Sequence, residues 1–281
     1  IASPRHEELI SAALAERGIA LFGSLPANGD IEIPSRHLGL VQAADLAASG
    51  ALEPMIDKAA ELVAAHLDLG AIEAAFTGIA APKTGPALLP PPGHRIAIAR
   101  DAAFGFSYEH LMAGWRDAGA EIMKFSPLAD EAPPPNADFI FLPGGYPELH
   151  LSELSRAGNF LGGLRAAAER GTRIYGECGG YMVLGETIID AEGASYPMAG
   201  LLALETSFAN RKLHLGYRRL TPLAQAWPGL KPVTGHEFHY TSATRAEGDP
   251  LFAVSDAAGR NLGTMGLVRG SVAGSYAHII A

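Results

Sequence analysis

The sequence predicts an α/β fold: a mostly parallel sheet covered by helices, preceded by a fragment of a second α/β domain. Three observations lead there. Short, wholly apolar runs such as Phe139–Leu142 alternate with helical stretches from residue 95 onward, as strands buried on both faces require. Five prolines (Pro82, Pro86, Pro90, Pro91, Pro92) crowd into residues 82–92, where neither a helix interior nor a central strand tolerates them. The 281 residues are enough for about two domains at ~150 residues each. The domains are therefore drawn as 1–80, a Pro-rich linker at 81–94, and 95–281.

In the first segment, Glu7–Arg17 reads as a helix with Ile10, Ala13 and Leu14 on one face, stopped by Gly18. Ile19–Phe22 reads as a buried strand, and Ile31-Glu32-Ile33 alternates like another. Pro54 opens a second helix with Ile56, Ala60, Val63 and Leu67 on one stripe, ended by Gly70. After the linker, Ile96–Ala99, Glu121–Phe125, Phe139–Leu142 and Arg173–Tyr175 read as strands. Tyr108–Ala118 and Leu154–Arg170 read as helices, the first with Trp115 in the core. From Leu201 the pattern turns to short strands and turns. A start without Met and the apolar end His278–Ala281 read as the ends of a piece of a longer protein.

Composition excludes several classes. Lys plus Arg number 21 against 30 Asp plus Glu, a net charge of −9 with no basic block, so no nucleic-acid partner is expected. No run of ~18 apolar residues predicts a membrane span, and Ile1–Pro4 has no signal-peptide pattern. One cysteine excludes an internal disulfide or a multi-cysteine metal site. A cytoplasmic location is expected, and a homodimer is left open.

That cysteine lies in Gly176-Glu177-Cys178-Gly179-Gly180, between a strand and a helix start at Tyr181. The form is G-x-nucleophile-x-G, a tight strand-to-helix turn that presents a nucleophile at the carboxyl edge of a sheet. A helix N-terminus there favours thiolate. The competing reading is an inert buried thiol. A thiol nucleophile needs a base, and the pattern leaves His239, in Gly235-His236-Glu237-Phe238-His239, and His278 both open. The H-E-x-H run lacks the H-E-x-x-H spacing, and no metal is expected. Pro143-Gly144-Gly145-Tyr146-Pro147-Glu148 follows a strand, and its amides could supply oxyanion donors.

These segments, with Asp101–Phe106, Phe125–Asp130, Tyr181-Met182 and Leu215-Gly216-Tyr217-Arg218, resemble the cobyrinic and hydrogenobyrinic acid a,c-diamide synthase family. The resemblance runs over nearly the whole chain. Pro34–Leu40 resembles the end of that family's ATP-binding domain, and residues from ~95 resemble its class I glutamine amidotransferase domain. The resemblance implies glutamine hydrolysis at Cys178 with His278 as base. Gly145 and Gly179 would be oxyanion donors, and Gly144, Tyr146 and His239 further oxyanion or substrate-binding positions. It also implies that ATP and magnesium activate the a- and c-carboxylates of a corrinoid in a partner domain, ammonia then forming the amides.

Two departures stand out. Many class I amidotransferases carry a glutamate two residues after the histidine; here that position is Ile280, and the resemblance to the corrinoid branch implies a Cys178–His278 dyad. The P-loop pattern G-x-x-x-x-G-K-[ST] is absent, and Lys83-Thr84 has no glycine loop before it. Only the glutaminase half-reaction is expected of this chain, with no cofactor bound to it. Arg36 and His37 are candidates to face corrinoid carboxylates, while Glu148, Glu177 and Glu237 are expected to be solvated or structural, Glu177 contributing to the turn. Alternatives are an amidotransferase-fold module that is silent without its partner, or another cysteine hydrolase such as a γ-glutamyl hydrolase.

Overall fold

The computed structural model describes residues 1–33, 41, 43–78, 89–225 and 229–280. Pro34–Leu40, with Arg36 and His37, and the linker residues Pro82, Lys83, Thr84 and Pro86 lie outside the described residues. The chain divides into two compact units, Ile1–Gly85 and Pro86–Ala281.

The first unit is helical where described. α1 (Pro4–Ala15) starts where the Ser3 side chain accepts the His6 N–H and Pro4 supplies a preset φ. α2 (Ala43–Ala48), α3 (Leu52–His66) and α4 (Leu69–Ala75) follow. The expected strands at Ile19–Phe22 and Ile31–Ile33 do not form. Ile19, Leu21 and Ile33 are exposed, Gly29–Ile31 is a 3₁₀ turn, and only an isolated bridge joins Gly23 to Leu67. A short apolar run without a partner strand has nothing to pair with. Gly70 sits inside α4, not at a helix end; the break is made by extended Leu67 and by Asp68, which caps Ala71. The stripe on α3 is partly as expected: Val63 and Leu67 are half-buried, but Ile56 and Ala60 are exposed and Met55, Ala59 and Leu62 are half-buried beside them.

The second unit opens with β1 (Arg95–Ala99), α5 (Glu109–Asp117), β2 (Glu121–Phe125) and β3 (Phe139–Leu142). The helix expected over Leu154–Arg170 is two, α6 (Leu151–Arg156) and α7 (Gly158–Glu169), because Ala157 leaves helical geometry at ψ 76. β4 (Arg173–Glu177) leads directly into α8 (Gly179–Leu184). Then come β5 (Thr187–Ile189), β6 (Ser195–Pro197), β7 (Ala203–Ser207), β8 (His214–Pro222), β9 (Val233–His239) and β10 (Ser242–Glu247). β11 (Asp249–Asp256), β12 (Asn261–Arg269), β13 (Val272–Ser275) and β14 (His278–Ile279) complete it.

Ten of these strands form one sheet in the order β14-β9-β8-β11-β12-β13-β4-β3-β1-β2. From β13 to β2 all neighbours are parallel; from β14 to β13 all are antiparallel. The parallel half is apolar on both faces. Ala97, Ile140, Leu142 and Ile174 pack with Phe160, Leu164 and Tyr181 on one side. Ile96, Ile98, Phe139, Phe141 and Tyr175 pack with Met112 and Trp115 on the other. Period-two alternation sends successive side chains to opposite cores, so these strands carry no polar face.

Phe160 is fully buried against Phe104 and Phe125, whereas Ile19 is 55% exposed. Phe160→Ala is expected to cost ~3–5 kcal/mol and Ile19→Ser no more than ~0.5 kcal/mol in urea unfolding. Equal midpoint shifts for the two variants would contradict this placement of the core.

Candidate active site

Three adjacent parallel strands, β3, β4 and β13, end along one edge of the sheet. Leu142 is level with Gly176, and Ser275 with Glu177. Beyond those ends come the Pro143–Glu148 loop, the cysteine turn and the segment Tyr276–His278. Strand register therefore gathers residues more than a hundred positions apart in sequence, among them Glu177 and Ile279.

Cys178 has φ +48 and ψ −108, a conformation that costs a non-glycine residue ~1–3 kcal/mol. Its N–H donates to Ser275 O at 2.9 Å, and its C=O accepts the Met182 N–H, so the residue ends one strand and starts one helix at once. The turn is closed by backbone proximity: a Cβ on Gly180 would lie 2.0 Å from Leu142 O. The expected presentation of an exposed, ionised thiol is corrected here. Cys178 is buried, and that burial pushes its thiol up to about 12, with the nearby Glu148 charge next in effect; the Gly179 N–H opposes them and is outweighed. α8 is six residues long, too short for its end to overcome desolvation.

The glycine loop sits against this turn. A Cβ on Gly179 would approach Gly145 N to 3.2 Å, so these two backbone amides are neighbours. Gly144 O accepts the Phe106 N–H at 2.9 Å, and Tyr146 packs edge-on to Phe106 with centroids 5.0 Å apart. Gly144 also lies under the histidine: a Cβ there would fall 2.3 Å from His278 Cε1.

His278 is buried in β14, which pairs with β9 at His236. Its ring stacks on His236 at 4.8 Å, and His236 is hydrogen-bonded to the Tyr108 hydroxyl. Burial, followed by the His236 and His239 rings, holds His278 down to about 3. Its Nδ1 has no hydrogen-bond partner among the described residues and lies 3.9 Å from Glu177 Oε2. His239 is differently placed. Its Nδ1 donates to Thr241 O at 3.0 Å, its Nε2 is 2.8 Å from Glu237 Oε1, and its ring lies between Tyr276 at 3.8 Å and His214 at 4.7 Å. Both His239 nitrogens are engaged by the protein, which leaves it poorly placed to serve as base.

Glu237 Oε2 also accepts from Arg218 Nε and Nη2 at 2.8 and 2.7 Å. His214, Glu237 and His239 are close enough to be compared with a metal site. The two rings are parallel within 6°, so their in-plane lone pairs do not converge, and the guanidinium already occupies the carboxylate. The group is built as an ion-pair network. It lines, with Tyr181 and Tyr276, a cavity of about 500 Å³.

The sequence pattern marks no role for Tyr108, His236 or Arg218, and puts Glu177 only in the turn. One signal was present: along a strand, Glu237 and His239 fall on the same face two residues apart, where they bond. The pairing of His236 with His278 is long-range and left no trace in local pattern.

Residues 95–281 match the model of the CobB/CobQ-like glutamine amidotransferase domain. The chain belongs to that family. It is 52% identical to hydrogenobyrinate a,c-diamide synthase of Brucella abortus over 286 aligned residues, covering 100% of this chain and 64% of that protein. It is 52% identical to the synthase of that name from Rhizobium meliloti, with the same coverage. The chain thus spans 64% of the length of these curated relatives. Among solved structures, PurLQS from Thermotoga maritima is similar at 16% identity and a TM-score of 0.43, over 66% of this chain and 86% of that one. No helix among the described residues is long and apolar enough to cross a membrane.

Two predictions follow from the packing and the protonation of this site. Gly144→Ala is expected to displace the His278 ring and slow Cys178 alkylation at least ~10-fold; an unchanged rate would contradict the contact. Burial also raises Glu177 from 4.5 to about 8. Between those pH values the folded state holds more protons than the unfolded one, so this group's contribution is full below 4.5 and is lost as pH rises toward 8. His278, lowered from 6.5 to about 3, holds fewer protons when folded, and its contribution grows as pH rises from 3 to 6.5. From pH 6.5 to 8, Glu177 alone of the pair acts. Urea midpoints should fall across that window and the fall should flatten in Glu177→Gln; parallel profiles would contradict the assignment.

Proposed function

We propose that this domain hydrolyses glutamine at Cys178 and that the ammonia serves amidation of the a- and c-side-chain carboxylates of hydrogenobyrinic or cobyrinic acid in cobalamin biosynthesis. The observation that carries the reading is Cys178 on its left-handed turn with the Gly145 and Gly179 amides beside it and His278 lying over Gly144. The name shared by the curated relatives supports the corrinoid as the acceptor.

The chemistry uses the chain's own groups. His278, neutral at physiological pH, takes the Cys178 proton as sulfur attacks the glutamine side-chain carbonyl. The amides of Gly145 and Gly179 donate to the oxyanion, at ~3 kcal/mol per donor. The imidazolium returns its proton to the departing ammonia as the C–N bond breaks, leaving a thioester. Water then attacks the thioester, giving its proton to His278, and glutamate leaves as the thiol is restored. Tyr146 and Phe106 support the oxyanion loop, and His239 supports the wall of the cavity.

ATP and magnesium do not fit the residues present. No phosphate-cradling glycine loop with its lysine occurs in the chain, so no step is assigned to them here. Burial of Cys178 favours a second reading, in which the site is complete but idle until a synthetase unit engages it.

Cys178→Ser is expected to lower glutamate release from glutamine by at least ~10³-fold, and a glutamine-like chloroketone should label Cys178. Retained turnover in the serine variant would overturn the assignment. Titration calorimetry should detect no ATP binding at millimolar concentration; a measurable site would contradict the reading of the missing cradle.

A further inference from the structure

We infer that Glu177, the residue immediately before the nucleophile, is the positioning carboxylate of His278. It would act from the cysteine turn as a carboxylate two residues beyond the histidine acts in a Cys–His–acid triad. The inference rests on the glutaminase reading above and names what orients its base.

Position 280 is isoleucine, and its backbone is spent elsewhere: its N–H donates to Thr234 O and its C=O accepts from His110 Nε2. Glu177 occupies the gap. Its carboxyl is buried, Oε1 accepts the Ile279 N–H at 3.0 Å, and Oε2 stands 3.9 Å from the unpartnered, buried Nδ1 of His278. One carboxyl therefore fixes the strand that carries the base and faces the ring nitrogen that needs an acceptor. A shift of under ~1 Å would bring the pair to hydrogen-bond length. A base must present one nitrogen without a proton, and the proton must then reside on the other; a carboxylate at Nδ1 selects that tautomer.

The groups facing Glu177 leave its titration legible. Burial raises Tyr175 well above 10 and Tyr108 to about 12, with the Glu177 charge adding to both. Cys178 is held at about 12, His278 at about 3, and His236 lies below 6.5. None titrates near pH 8, where Glu177 does.

The test is alkylation of Cys178 by iodoacetamide from pH 6 to 10 in the whole protein, compared among wild type, Glu177→Gln, Glu177→Ala and His278→Ala. Glutamine keeps the acceptor for the Ile279 N–H and the volume but offers Nδ1 a donor, so a purely structural role predicts wild-type behaviour in Glu177→Gln. Expected instead are a ~10- to 10³-fold slower reaction above pH 8 and loss of the inflection near 8, with Tm no lower than that of wild type. For glutamine turnover, kcat should fall with KM within about threefold. Nitrogen NMR of wild-type His278 at pH 9 should show the proton on Nδ1. A wild-type profile in Glu177→Gln, or the proton on Nε2 in the native protein, overturns the inference. A His278→Ala variant that reacts like wild type sinks the glutaminase reading itself, which is a separate outcome.

Discussion

The site depends on how closely backbones approach at the ends of β3, β4 and β13. Gly180 lies against the carbonyl of Leu142, Gly145 against that of Ala103, and Gly144 under the imidazole of His278. At each contact a side chain would occupy space already held by backbone or ring, and backbone cannot step aside as a flexible side chain can. The glycines are thus a packing requirement of three strand ends converging on one point. The geometry of the candidate site is a by-product of that convergence, since the amides of the two loops have nowhere else to stand.

The antiparallel half of the sheet serves a different purpose. β9 brings His236 to His278 and Glu237 to Arg218, so His278 is held by a strand from outside the parallel core. The stack His214–His239–Tyr276 forms one wall of the cavity. The ring nitrogens of His239, at the centre of the stack, are engaged by Thr241 and Glu237, which fixes that ring in the wall.

Much of the parallel half was legible. Strands apolar on both faces, helices stopped by glycines and the turn around Cys178 are local patterns, and local patterns survive in sequence. The first unit was harder to read. Ile19–Phe22 looks like a strand by composition alone, and a strand exists only where a neighbour completes its hydrogen bonds. Only the second half of the α3 stripe, Val63 and Leu67, is half-buried; no residue of that helix is fully buried, so periodicity there marks no deep face. Ionisation of Cys178 was misjudged for a related reason: a helix end is visible in sequence, whereas desolvation depends on everything that surrounds the sulfur. Glu177 was underrated because its partners, Ile279 and His278, are about a hundred residues away.

That separation has a consequence for the newborn chain. The thiol leaves the ribosome about a hundred residues before His278, and the His278 ring is not held over Gly144 until β14 has docked against β9. Throughout that interval the sulfur is solvated and has the ordinary acidity of a free thiol. The contact between Gly144 and the His278 ring therefore waits on a pairing made far along the chain from the turn that it completes.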